Sequence, residues 1–203
     1  MVASQSQNVV IQNAKNADTN GDTNNMTKPK LIGLGYRARS GKDTVAQHLV
    51  RTHGYRRVGL ADKLKDIAGI LTGDDAYAED FKTSVTRFGI TGGQLLQQLG
   101  HGMRGILPDI WTTAADSSWL IKTGRHVVIS DVRYLSDAEH IKNLGGVLWR
   151  IDRPGLPQDP HVSETQGAQI KWDAVIVNNS TLPALFSAVD AVLEGLPPVN
   201  VVD

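Results

Sequence analysis

A phosphate-binding loop is the clearest chemical pattern in this sequence. The segment from Gly35 to Thr44 reads GYRARSGKDT and stands between an apolar run and a helical pattern. Small residues let successive backbone N–H groups face phosphate oxygens, the helix N-terminus adds positive potential, and a lysine reaches the β- and γ-phosphates. Ser40, Gly41, Lys42 and the Thr44 hydroxyl meet these needs, so we expect a nucleoside triphosphate to bind here.

The loop departs from the usual pattern at two positions. Asp43 occupies the place that commonly holds Ser or Thr, and Thr44 follows one residue later. Gly35 lies one residue too far from Gly41, so Tyr36 fills the place of the first glycine. The alternative is an ordinary strand-to-helix turn that happens to be basic.

Asp131 is the second candidate for chemistry, because it ends the apolar run HVVISD. In phosphate-loop proteins a carboxylate on the neighbouring strand holds magnesium and orients the attacking oxygen. We therefore predict Thr44 and Asp131 as metal ligands. Arg133, two residues further on, would place a guanidinium beside the same phosphates. The alternative is an acidic residue that closes a strand without a role.

Alternating strands and helices position these residues. The pattern predicts strands at 31–35, 57–60, 126–131, 147–151 and 174–177. It predicts helices at 44–53, 91–106, 108–122 and 136–144, one capped by Asp62, one from Thr181 to Leu193, and a loop over 152–170. Strands separated by helices form a parallel sheet with helices on both faces, and ligands bind beyond the carboxyl ends of its strands.

Composition limits the classes of function. The 203 residues include 21 Lys and Arg against 21 Asp and Glu, which argues against a nucleic-acid polymer as partner. There is no Cys, no apolar run long enough to span a membrane, and no metal-ligand spacing among the histidines. Residues 1–28 are rich in Asn and predict a disordered tail before one domain over 29–203. We expect a cytoplasmic protein with no membrane partner.

The motifs occur in the order seen in phage deoxynucleoside monophosphate kinases, and the chain resembles that family over about residues 30–195. The matching segments are SGKDT, LLQQLG, Trp111, DVR, GG, RPG, HVSE and VNN. The resemblance implies an α/β fold: a P-loop NTPase three-layer sandwich with a five-stranded parallel sheet, helices on both faces and a lid loop. It implies transfer of the γ-phosphate of ATP to a deoxynucleoside monophosphate with Mg²⁺. A homodimer is common in the family, although no heptad seam requires one here.

The resemblance also assigns site residues. It implies contacts to ATP and its metal for Arg39, Gly41, Lys42, Asp43 and Thr44, and the loop pattern itself adds Gly35 and Ser40 to the predicted ATP site. The resemblance implies that Gly100, Trp111, Asp131 and Arg133 face the acceptor. We also predict acceptor contacts for His101, Arg104, Asp137 and Glu164, and a catalytic set of Lys42, Asp131, Arg133 and Arg153.

Three positions depart from the family. Gly92-Gly93-Gln94 stands where the family has Arg, His101-Gly102 where it has Thr and an acid, and Asp137 where it has Glu. Arg87 or Arg104 would replace the missing phosphate-binding arginine; the alternative for each is a solvated helix charge.

Segment 153–164 is predicted to form a lid that closes over the phosphates, because Arg153 begins a stretch rich in Pro and Gly. His161 and Glu164 would position or close it, since a phosphate acceptor needs no general base. The alternative is a surface loop whose arginine stays in water.

Two other functions remain open from the sequence. One is a phosphate-loop kinase for another small acceptor, such as phosphomevalonate. The other is a regulatory module that binds ATP without transferring phosphate, which the changes at Tyr36, Gly93 and His101 would favour.

Overall fold

Five parallel strands form one sheet in a computed structural model that describes residues 28–115, 121–156 and 162–195. The predicted tail, except for residue 28, lies outside the described residues. The strands are β1 Leu31–Gly35, β2 Arg56–Val58, β3 Val127–Val132, β4 Val147–Asp152 and β5 Ala174–Val177. Their order in the sheet is β2-β3-β1-β4-β5, and each pair of neighbours is parallel. The β1 strand is therefore central, with β3 and its terminal Asp131 beside it.

The helices of the described residues cover both faces of the sheet. They are α1 Lys42–His53, α2 Leu60–Thr72, α3 Gly92–Ile106, α4 Ile110–Ala114, α5 Leu135–Asn143, α6 Val162–Gln169 and α7 Leu182–Leu193. This arrangement confirms the predicted three-layer α/β sandwich with a five-stranded parallel sheet. No helix of the described residues has both the length and the apolar character that crossing a bilayer requires.

Alternation along the strands divides the core into two apolar clusters. Ile32 and Leu34 of β1 pack with Leu49 of α1 and Val189 of α7 on one face. On the other face, Leu31 of β1 and Val127 and Ile129 of β3 pack against α2, α4 and α5. The helices contribute Leu60, Trp111 and Ile141 to this cluster. Both faces of these strands are buried, and successive side chains join different clusters, so a slip of one residue would move every side chain to the wrong face.

Two predicted features were wrong: the boundary between β2 and α2, and the loop over 152–170. Leu60 begins α2 rather than ending β2, and Gly59 rather than Asp62 is the residue before the helix; Asp62 instead accepts a hydrogen bond from the Gly59 amide at 3.2 Å. Within the predicted helix over 108–122, Ile110–Ala114 form α4 and residues 121–122 are helical, while residues 116–120 lie outside the described residues, so the extent of this helix stays a prediction. The predicted loop over 152–170 contains helix α6.

Candidate active site

The phosphate loop joins β1 to α1 with three residues in the left-handed region. Tyr36, Arg39 and Gly41 have φ values of 101°, 62° and 102°. A positive φ is uncommon for any residue but glycine. Tyr36, which fills the place of the first glycine of the usual pattern, thus adopts a backbone conformation typical of glycine. Its ring lies under the Arg150 guanidinium, with Cζ 3.7 Å from the ring centroid.

The lysine and the hydroxyl of the loop are buried within it. Lys42 is 6% exposed, and its Nζ donates a hydrogen bond to the Arg37 carbonyl at 2.6 Å. The Ser40 Oγ is buried and has no hydrogen-bond partner among the described residues. The Asn178 side-chain amide donates to the Ser40 carbonyl at 2.9 Å, which ties the loop to the segment after β5. A loop that binds an anion is expected to hold an ammonium, as at Lys42, and a hydroxyl without a partner, as at Ser40.

Thr44 and Asp131 are the two predicted metal ligands. Thr44 lies in the first turn of α1 and is half-buried, whereas Asp43 is exposed. Asp131 lies near the end of β3, next to β1, and its two carboxylate oxygens accept the Leu60 and Ala61 amides at 2.9 Å each. Burial raises the pKa of Asp131, although those two hydrogen bonds and the nearby Arg133 offset part of the rise. Hydroxyl and carboxylate oxygens are the ligands that Mg²⁺ prefers, so these residues fit that ion.

A cavity of about 210 Å³ opens beside the loop. Its wall includes Ala38 of the phosphate loop and Asp131 and Arg133 at the end of β3. Of the predicted acceptor residues, Gly100, His101, Arg104, Trp111 and Asp131 line it. The other lining residues are Leu60, Ala61, Leu64, Lys65, Lys82, Leu96, Gln97 and Tyr134. The structure therefore brings the predicted acceptor residues of α3, α4 and β3 to one space next to the loop.

Sequence reasoning missed the contribution of α2 to this wall, although a signal was present. Leu60 and Leu64 are four residues apart, as are Ala61 and Lys65, so the two pairs share one helix face. The same spacing links Leu96, Gly100 and Arg104 on α3. Two facing helical stripes that each mix apolar and cationic residues would have pointed to a cavity between them.

Trp111 holds α3 in place against α4. Its side chain is 3% exposed, and its indole Nε1 donates to the Gly100 carbonyl at 3.1 Å. A Cβ added at Gly100 would lie 3.1 Å from a methyl of Leu64, so the absence of a side chain allows α2 and α3 to approach closely. Both residues shape the cavity as well as line it.

Arg104 is bound within the protein rather than solvated. Its side chain is 11% exposed; Nη2 lies 2.8 Å from Asp137 Oδ1, and the guanidinium stacks over the Tyr134 ring at 4.1 Å. Nη1 donates to the Pro108 carbonyl at 3.0 Å. The interpretation of Arg104 as a solvated helix charge was wrong, because the topology places α5 directly beside α3. Arg87, by contrast, is exposed and does not line the cavity.

Asp137 does not line the cavity and is fully buried. Its Oδ2 accepts the Arg133 and Tyr134 amides at 3.1 Å and 3.0 Å, while Oδ1 pairs with Arg104. This placement contradicts the expectation that Asp137 contacts the acceptor. Asp137 instead fixes the backbone of Arg133 and the orientation of Arg104.

The predicted lid is described only in part. Arg153 is exposed in the turn after β4, and the Arg37 guanidinium donates to the Leu156 carbonyl at 3.3 Å, which links this turn to the phosphate loop. Residues 157–161, including His161, lie outside the described residues, and so does the side chain of Glu164. The lid thus stays a prediction.

Comparison with known proteins gives one informative relative. No protein-family model matches the chain. A protein of Acanthamoeba polyphaga mimivirus described as "Putative deoxynucleotide monophosphate kinase" is 34% identical over 191 residues, which cover 84% of this chain and 99% of that protein.

Solved structures are similar at lower identity. The TT1252 protein of Thermus thermophilus has a TM-score of 0.49 at 20% identity and covers 84% of this chain and 99% of its own. The dephospho-CoA kinase of Campylobacter jejuni has a TM-score of 0.47 at 14% identity and covers 81% of this chain and 96% of its own.

Proposed function

The chain belongs to the kinase family of the mimivirus protein, and from this premise we propose that it transfers the γ-phosphate of ATP to a deoxynucleoside 5′-monophosphate. The observation that carries the proposal is the cavity that opens onto the phosphate loop at Ala38 and ends at Asp131 and Arg133. A donor in the loop and an acceptor in the cavity would meet at the carboxyl end of β3. Enzymes of parallel sheets bind their substrates at this edge.

On the donor side, the loop would hold the triphosphate of ATP. Backbone amides from Arg39 to Thr44 would face the phosphate oxygens, and Lys42 would leave the Arg37 carbonyl to bind the β- and γ-phosphates. Thr44 and Asp131 would hold Mg²⁺, which supplies charge neutralisation for the transferring group. Gly35 lets the start of the loop pack closely against β3, since a Cβ there would lie 2.5 Å from the Val132 carbonyl.

On the acceptor side, the cavity offers two kinds of surface. The apolar side chains of Leu60, Leu64, Leu96 and Trp111 suit the faces of a base. Lys65, Lys82, Arg133 and His101 supply cationic or hydrogen-bonding groups for a phosphate and for base edges. Lys82 lies next to the segment that lacks the family's arginine, because the Gly93 amide donates to the Lys82 carbonyl at 3.0 Å.

The reaction needs little covalent help from the protein. An oxygen of the acceptor monophosphate forms a bond to the γ-phosphorus while the bond from that phosphorus to the β–γ bridging oxygen breaks, and ADP leaves. The attacking oxygen is already anionic, so no general base is required. In-line positioning and cations against the transferring oxygens account for catalysis.

An acceptor panel tests this function. The purified protein with ATP and Mg²⁺ is given each deoxynucleoside monophosphate, each ribonucleoside monophosphate and phosphomevalonate, and acceptor-dependent ADP is measured. We expect ADP with at least one deoxynucleoside monophosphate. ADP only with phosphomevalonate would show a kinase for another acceptor, and ATP binding without acceptor-dependent ADP would show a regulatory module; either result contradicts the proposal.

Gly41→Ala is expected to weaken ATP binding about tenfold or more. Gly41 has a φ of 102°, and a Cβ there would lie 2.6 Å from the Asn178 amide nitrogen that holds the loop. A non-glycine residue in this region costs about 1–3 kcal/mol. A loop that shifts to avoid this cost moves its amides away from the phosphates, and about 1.4 kcal/mol of lost binding energy corresponds to tenfold in affinity. Isothermal titration calorimetry with ATP and Mg²⁺ measures the change.

Gly54→Ala is the matched control, because Gly54 ends the same helix at a φ of 71° with no atom within 4 Å of an added Cβ. It introduces comparable backbone strain away from the loop and is expected to leave ATP affinity unchanged. Equal losses of affinity in both variants would mean that the Gly41 effect comes from general destabilisation.

Arg153→Ala is expected to reduce kcat by about 10³-fold at saturating ATP, the scale of a mobile arginine that stabilises a transferring phosphoryl group. Arg153 is exposed in the turn that Arg37 links to the phosphate loop, so a small closure would bring it to the γ-phosphate. Steady-state kinetics with both substrates saturating checks this. Arg125→Ala, an exposed arginine before β3, should keep full turnover. Unchanged turnover in Arg153→Ala would exclude the lid role.

A further inference from the structure

Two histidines and an aspartate lie close together between α1 and α7, the helices that cover one face of the sheet. His48 and His53 lie in the C-terminal half of α1, and Asp190 lies in α7. None of the three lines the cavity beside the phosphate loop. Their potential ligand atoms all lie within 4.8 Å of one another, the only such group of three among the described residues.

The donor atoms point at a single position. His48 Nε2 lies 2.6 Å and His53 Nε2 lies 2.7 Å from the same oxygen, Asp190 Oδ1. The side chains of His48 and His53 are 10% and 13% exposed, and that of Asp190 is 38% exposed. Two nearly buried imidazoles therefore aim one nitrogen each at a carboxylate that water can still reach.

Neighbouring groups hold the imidazoles in this orientation. The His48 ring stacks on Phe186, with centroids 4.3 Å apart and planes 4° from parallel. Its second nitrogen, Nδ1, lies 3.3 Å from the Thr52 hydroxyl. A metal-bound histidine needs such a partner, because a hydrogen bond at one nitrogen fixes the ring and leaves the other nitrogen for the ion. The His48 imidazole is thus oriented before any ion binds.

We propose that His48, His53 and Asp190 form a site for a divalent transition metal of the Zn²⁺ type that links α1 to α7. Two imidazole nitrogens and one carboxylate oxygen are ligands that Zn²⁺ takes, and water completes the four positions on the exposed side of Asp190. Tetrahedral Zn²⁺ spaces its ligand atoms roughly 3.3 Å apart. The rings would therefore move back by a few tenths of an ångström from their hydrogen-bonding positions.

Binding moves protons without any redox step. Each neutral imidazole that coordinates through Nε2 carries its proton on Nδ1, where the Thr52 hydroxyl can accept it from His48. At His53, Nδ1 lies 3.2 Å from the Lys28 ammonium. Lys28 is exposed, so its ammonium can turn into water when the ion binds. The Lys28→Ala variant is therefore expected to bind the ion as well as the wild type or better.

The test uses untagged protein without nucleotide, so that neither a polyhistidine tag nor ATP binds the ion. Zn²⁺ is titrated in competition with a chromophoric chelator, and Co²⁺ binding is followed by its visible absorption. We expect one Zn²⁺ per chain with a Kd in the micromolar range or lower, and a Co²⁺ spectrum of tetrahedral intensity.

Three variants locate the ion. His48→Gln and Asp190→Asn should each weaken Zn²⁺ binding by more than tenfold, whereas His126→Gln, outside the cluster, should bind as the wild type does. The wild-type Co²⁺ spectrum supplies a readout that does not depend on whether a variant folds. If the wild-type protein bound no Zn²⁺ at a concentration 100-fold above the expected micromolar Kd, the cluster would be an ion-pair network only. Wild-type Zn²⁺ affinity in both His48→Gln and Asp190→Asn would place the ion elsewhere, and either result overturns the proposal.

Discussion

Lys42→Ala is expected to lower kcat by about 10³-fold, with a smaller effect on folding. Lys42 is the one cation enclosed by the turn of the phosphate loop among the described residues, and its Nζ lies 2.6 Å from the Arg37 carbonyl. Removing one preorganised donor to a charged transition state costs about 10²–10³ in kcat, and a full positive charge belongs at the upper end. Initial rates with ATP and the preferred acceptor measure the loss.

Two further variants separate charge from packing. Lys42→Met retains the apolar stem of the buried side chain and removes only the ammonium, so it should lose as much activity as Lys42→Ala while unfolding at a temperature closer to the wild type. Lys30→Ala changes an exposed lysine just before β1 and should keep full activity. If Lys42→Met retained more than a tenth of wild-type kcat, the assignment of the loop as the catalytic phosphate site would be wrong.

Asp137→Ala is expected to reduce the free energy of unfolding by about 3–5 kcal/mol, the usual cost of leaving one partner of a buried ion pair alone. Asp137 is fully buried, pairs with Arg104 at 2.8 Å, and accepts two backbone amides. Its removal leaves a guanidinium and two N–H groups without their acceptor. Urea denaturation followed by circular dichroism measures the change.

The exposed pair between Lys63 and Asp66 provides the control. Its ammonium and carboxylate are 3.3 Å apart on the surface of α2, so Lys63→Ala should change the free energy of unfolding by less than about 1 kcal/mol. Replacing both buried partners, as Arg104→Met with Asp137→Leu, should recover part of the stability lost in Asp137→Ala. A loss below about 1 kcal/mol in Asp137→Ala would show that the buried pair does not hold α3 against α5.

The phosphate loop and the sheet were predictable because their signals are local. The run from Leu31 to Gly35 is apolar and ends at a glycine-containing turn, and Val45 and Leu49 repeat at helical spacing. The place of the candidate site follows from the order of strands and helices, since parallel strands bring their carboxyl ends to one side of the sheet. The same logic predicts Asp131, near the end of β3, on the side of the sheet where the loop lies.

Contacts between distant segments were not predictable. Asp131 accepts the first amides of α2 from 71 and 70 residues away, which is why α2 begins at Leu60 and not at the residue that the sequence suggested. Arg104 and Asp137 pair only because α3 and α5 are neighbours in space. A sequence pattern records helix faces, but it does not record which faces meet.

The histidine cluster shows this limit most clearly. The histidines have no metal-ligand spacing in the sequence, yet His48 and His53 meet Asp190 in the structure. His48 and His53 are five residues apart, about 140° around an ideal helix, so their spacing predicts no shared face. Their common partner, Asp190, is 142 residues from His48 and 137 from His53. Only the packing of α1 against α7 brings the three together.

Three expectations stay predictions. The relative that places the chain in its family is from a mimivirus, so an origin in a phage is not confirmed. A homodimer and a cytoplasmic location rest on the resemblance and on the composition. Size-exclusion chromatography with light scattering would measure the mass of the particle.

Transfer of radiolabelled γ-phosphate from ATP to a deoxynucleoside monophosphate tests the central claim most directly. The protein is incubated with labelled ATP, Mg²⁺ and each of the four deoxynucleoside monophosphates, and the products are separated by thin-layer chromatography. The account predicts label in a deoxynucleoside diphosphate with at least one acceptor, and none with Lys42→Ala over the same time. Label that stays on ATP, or that appears only as inorganic phosphate with every acceptor, would contradict it.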